Sequence, residues 1–111
     1  MEQVTDEELL ELYNDTINKC GIYLLNEADE TIEYNIYEDF DIGVHSFLYT
    51  DNLQKLYSKG LISIDKLNKS ILLHNKVIDL QSSDEWKFEN FRTSEKWKEI
   101  MRLCDEIRAT H

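Results

Sequence analysis

The chain has 111 residues, 41% of them hydrophobic, with no proline, three glycines and a formal net charge of −11. That length fits a single domain, residues 1–111, with one core, and so few turn residues argue for helices over an all-β fold. The sign of the charge sets duplex nucleic acid and anionic membrane aside as direct partners, because both need a basic surface to meet their phosphates.

Thr5 and Glu8 form a capping box ahead of the first helix, with Asp6 and Glu7 at the positive end of its dipole. Leu9, Tyr13, Ile17, Cys20 and Leu24 then recur at steps of three and four, one apolar helix face that ends or bends at Gly21. Residues 26–42, "NEADETIEYNIYEDFDI", support two periods. Ile32, Ile36 and Phe40 step by four as on a helix, while Ile32, Tyr34 and Ile36 alternate as in a strand. Helix is favoured, since no neighbouring segment offers a clear strand partner. "DFDIGVHSFL" reads as an irregular connection broken at Gly43.

Thr50 or Asp51 can cap a short helix through Leu53, Leu56 and Tyr57, closed by a left-handed Gly60. Ser63 caps a longer helix whose wide apolar face combines Ile64, Leu67, Ile71 and Ile78 with Leu73, Val77 and Leu80. "QSSDEWKFENFRTS" reads as a loop or single turn, with Trp86, Phe88 and Phe91 free to pack over the core. Thr93 or Ser94 opens the last helix. Trp97, Ile100, Met101, Cys104 and Ile107 make its buried stripe, and Lys96, Glu99, Arg102 and Arg108 stay in water. The expected fold is all-α, a compact bundle of four to five helices with short loops.

The sequence carries little sign of catalysis. Three scattered glycines make no phosphate-cradling loop. Cys20, His45, His74 and Cys104 lack zinc-ligand spacing. A calcium loop counted from Asp39 has Val44 where glycine is needed and Thr50 where glutamate is needed. His45 and His74 are the plausible bases, and both read more simply as packed or backbone-bonded residues. No enzyme activity, cofactor or metal is expected. Cys20 and Cys104 each fall on an apolar position and read as buried reduced thiols. The acidic opening "MEQVTDEELL" has no apolar signal core and no apolar run is long enough to span a bilayer, so a cytoplasmic protein is expected.

The charge is divided unevenly. Residues 1–54 hold fourteen acids and one base, Lys19, whereas residues 55–111 hold nine acids and eleven bases. Residues 20–54 contain eight acids, no lysine or arginine and six of the twelve aromatic residues. Ordinary soluble faces mix signs, because Glu–Lys pairs four apart stabilise a helix. An unmixed face beside tyrosines suits a basic partner: acids steer the encounter and pair with its cations, and rings supply rigid contact area. The candidate contacts are Glu27, Asp29, Glu30, Glu33, Glu38, Asp39 and Asp41, with Tyr34 and Tyr37 as anchors. Proteins that bind nucleic acid are the natural basic partners.

The C-terminal half resembles the immunity proteins of bacterial toxin systems, including contact-dependent growth inhibition. The resemblance lies in "ISIDKLNKSILLHNKVIDL" followed by "FRTSEKWKEIMRLCDEI", with Arg92, Ser94, Trp97, Ile100, Asp105 and Ile107 setting the pattern. It implies a protein that binds and neutralises one cognate toxin, often a nuclease, in the cell that makes it; the acidic charge adds that this toxin is a basic protein. Such families share no catalytic residues, so the candidate contacts rest on charge and aromatic placement alone. A general nucleic-acid mimic inhibiting DNA-binding or defence proteins, and a helical adaptor, are the competing expectations. Oligomeric state is left open.

Overall fold

The computed structural model describes residues 4–111; residues 1–3 of the acidic opening stretch lie outside them. The described residues form helices and short connections, with no strand among them. Helix α1 spans Asp6–Asn18, and the Thr5 side chain accepts the Glu8 N–H at 3.1 Å, as the capping box requires. A 3-10 turn follows at Ile22–Asn26. Residues 29–46 are one continuous composite helix: α2 (Asp29–Ile32), a π-helical stretch (Glu33–Phe40) and α3 (Asp41–Ser46). Then come α4 (Thr50–Ser58), α5 (Ile64–Gln81), two 3-10 turns at Asp84–Trp86 and Phe88–Asn90, and α6 (Glu95–Ala109). The all-α bundle is therefore as expected.

The connection expected at "DFDIGVHSFL" is instead helix through Ser46. Its continuity follows from the apolar register. Ile32, Ile36, Phe40, Val44 and Leu48 are each 0% exposed, a strict period of four. On an α-helix such a period drifts about 40° per step and would carry the stripe off the core within five residues of the series. Turns closed by i→i+5 bonds are wider and drift the other way. One π stretch set between two α stretches thus keeps Ile32, Ile36, Phe40 and Val44 near one line, and Leu48 continues it in the turn beyond Ser46. Gly43 lets this helix close on α1: a Cβ there would overlap the Thr16 hydroxyl and stand 2.6 Å from its methyl.

Other local expectations divide. Ser63 caps α5 and Ser94 caps α6, each accepting the N–H three residues on. At the end of α4, Gly60 has φ 73°, with Leu61 N–H bonded to Leu56 O and Gly60 N–H to Tyr57 O, a Schellman closure. The cap of α4, however, is Tyr49, with no side-chain bond, and Thr50 and Asp51 lie inside the first turn. Cys20 and Leu24 are buried as expected but lie beyond α1, which stops at Asn18. Ile64 and Ile78 on α5 are exposed rather than buried, because α5 turns Leu67, Ser70, Leu73, Val77 and Leu80 inward.

The core runs between α1, the composite helix, α5 and α6. Tyr13 is fully buried, and its hydroxyl meets Ser70 at 2.6 Å. Trp97 is the largest buried side chain; it stacks on Trp86 at 4.6 Å, packs on Phe91 at 4.7 Å and donates its indole N–H to Glu85 O. Cys20 and Cys104 are both buried free thiols, and burial holds the Cys20 thiol well above its ordinary range. The radius of gyration is 13.7 Å, against about 13 Å for a compact domain of this length.

Two arginines from the base-rich half cap segments of the acid-rich half. Arg108 donates to Ile17 O at 2.6 Å and Cys20 O at 2.7 Å, and pairs with Asp105, whose other oxygen accepts the Ile22 N–H. It thus supplies the cation that the last turn of α1 lacks, where the sequence placed it in water. Arg92 donates to Leu25 O, Glu27 O and Asp29 Oδ1 at 2.7, 2.8 and 2.8 Å.

Candidate partner-binding surface

The inward line of the composite helix leaves its other faces to water, and all nine candidate residues lie on or just before it. They do not form one patch. Asp29 is held by Arg92 at 2.8 Å. Asp39 pairs with Lys19 at 3.1 Å. Asp41 accepts from the Gln81 amide at 2.6 Å and lies 3.4 Å from His45 Nε2. His45 Nε2 is also 2.7 Å from Gln81 Oε1, which fits the tautomer protonated at that nitrogen, since an amide oxygen only accepts. Three of the acids are thus partly answered within the fold, by residues distant in sequence.

The glutamates differ. Among the described residues, the side chains of Glu27, Glu30, Glu33 and Glu38 make no ion pair and no hydrogen bond. All four are exposed. A reason lies in position: Asp39 faces α1, Asp41 faces the end of α5 and Asp29 faces the loop before α6, whereas Glu30, Glu33 and Glu38 line an open groove whose one cation, Lys87, pairs with none of them.

The two tyrosines also part company. Tyr34 is 56% exposed. Tyr37 is half-buried; its hydroxyl donates to Trp86 O at 2.5 Å, and its ring packs edge-on to Trp86 and Trp97 at 5.7 and 6.1 Å. Burial, aided by the Glu33 charge, pushes the Tyr37 hydroxyl far above the ordinary tyrosine range. Tyr37 is therefore both a strut for the aromatic cluster and one wall of the surface, not a free anchor.

Glu30, Glu33, Tyr34, Tyr37 and Glu38 come together with Lys87 and Phe88 along one open groove of about 650 Å³. Phe88 and Lys87 belong to the segment expected as a loop or single turn packing over the core, and Phe88 carries no periodicity that marks it for this surface. The opposite flank of the composite helix has a smaller groove lined by Leu12, Ile42 and Phe47, where the Lys19–Asp39 pair sits. Among the described residues no cluster of His, Cys, Asp and Glu could hold a metal ion, and no helix is long and apolar enough to cross a membrane.

No family model, no curated protein and no solved structure matches the chain.

Proposed function

We propose that this protein is an immunity-type inhibitor that binds a basic protein toxin, of the nuclease class, and neutralises it through the glutamate-rich face of residues 27–38. One observation carries the reading: Glu27, Glu30, Glu33 and Glu38 stay exposed and, among the described residues, unanswered, while the neighbouring aspartates are held by Arg92, Lys19, Gln81 and His45. Unpaired like charges on one face repel one another and lower stability. Their persistence is explained if a partner supplies the cations. A nuclease must present cations to phosphate, so an acidic face competes for the same site. Exposed Tyr34 adds contact area at low entropic cost. The reading also agrees with the π-helical stretch, since such turns are frequent at functional sites. It assigns the chain no catalytic step and no cofactor, and a cytoplasmic place of action.

The test is neutralisation. A basic protein captured on this chain from its native host, when expressed alone, should arrest growth of a test cell, and co-expression of this chain should restore it. Capture of many unrelated DNA-binding proteins would favour the general mimic instead. Growth arrest that this chain does not relieve would refute the proposal.

A further inference from the structure

We infer that the groove beside the π-helical stretch is a binding site for an arginine side chain on a basic segment of the partner protein. This rests on the proposed function and names the chemistry its surface recognises. The groove's walls are aromatic: Tyr34, Tyr37 and Phe88 line it, and Glu30, Glu33 and Glu38 stand among them. Glutamates alone would attract any cation. Rings beside them favour a planar, weakly hydrated cation, which stacks on the aromatic faces while its N–H groups reach the carboxylates. A lysine ammonium is more strongly hydrated and pairs as a point charge.

Charge complementarity commits the groove to a cationic occupant. Three glutamates face one lysine, Lys87, and none of the three is paired with it or with any other described cation. One wall is also held in place before any ligand arrives. Tyr37 is fixed by its bond to Trp86 O and by two tryptophan rings. A pre-set wall lowers the ordering cost of binding.

The test titrates isotopically labelled protein with hexa-arginine and, separately, hexa-lysine, following backbone amide shifts by NMR. The account expects hexa-arginine to shift the amides of Tyr34, Tyr37 and Phe88 and to bind about fivefold or more tighter than hexa-lysine, the scale of one partly exposed cation–aromatic contact. Tyr34→Ala, at an exposed position, should keep the native spectrum elsewhere and abolish the preference for arginine. Equal affinity for the two peptides would mean a surface that senses only charge and would overturn the inference. So would shifts that map outside the groove, a preference that survives Tyr34→Ala, or no binding at millimolar peptide. The proposed function fails separately. Partner capture that is lost on reversing the glutamates but unchanged in Tyr34→Ala keeps the function and removes the arginine site.

Discussion

Tyr13 shows how one hydroxyl decides the chemistry of a core position. It is fully buried on α1 and its only polar atom meets Ser70 of α5 at 2.6 Å. Tyr13→Phe leaves the Ser70 hydroxyl buried without its partner, and should lower stability by about 1–3 kcal/mol in urea unfolding; adding Ser70→Ala should recover most of that loss. Burial also raises the Tyr13 and Tyr37 hydroxyls above the usual range, and raises the Cys20 thiol. In each case the folded state holds the proton more tightly than the unfolded chain. The stabilisation is complete below the unfolded values and is lost as pH rises past them, from about 8.5 for cysteine and about 10 for tyrosine. Urea midpoints should therefore fall steeply above pH 10. A midpoint level to pH 11 would contradict these burial assignments. Of this scale the sequence showed half: Tyr13 lies on the apolar stripe, but Ser70 reads as an ordinary polar residue until the partner helix is in place.

At the scale of elements, the composite helix is the informative one. Its period of four was visible in Ile32, Ile36 and Phe40, and it continues through Val44 and Leu48. Gly43 obscured the continuation, because glycine inside a helical pattern signals a break. Here it serves close approach instead. Gly43→Ala forces a Cβ into the Thr16 side chain and should cost about 1–3 kcal/mol by overpacking. Thr16→Ala should recover part of that loss, since the Thr16 Cβ would still stand 2.9 Å away, and this non-additivity is measured by a double-mutant cycle. If the two losses simply add, the helices do not meet at this point. The caps of α1, α5 and α6 were legible because N-caps are local chemistry. The arginine caps were not: Arg92 reaches back more than sixty residues to Leu25, Glu27 and Asp29, and Arg108 about ninety to Ile17 and Cys20.

Over the whole molecule, the uneven charge seen in the sequence becomes a sorted surface. Arg92 answers Asp29, Lys19 answers Asp39, and the Gln81 amide and His45 meet Asp41, as Lys55 also answers Asp6 across α4 and α1. The outward glutamates remain. The sequence showed the charge imbalance but not this sorting, because pairing depends on which element packs beside each carboxylate. The sorting also decides which acids can be changed as a test. Reversing Asp39 or Asp41 would break bonds to Lys19 or Gln81 and disturb the fold as well as the surface. Glu30, Glu33 and Glu38 hold nothing among the described residues.

The most direct measurement is the affinity of the captured basic protein for the wild-type chain and for the Glu30→Lys, Glu33→Lys, Glu38→Lys variant, each at low and high salt. The account predicts unchanged helical content in the variant, an affinity at least a hundredfold weaker at low salt, and a much smaller salt dependence, since the screened charge pairs are gone. Equal affinity of the two chains, with equal salt dependence, would show that the glutamate face is only solvated surface and that the partner binds elsewhere.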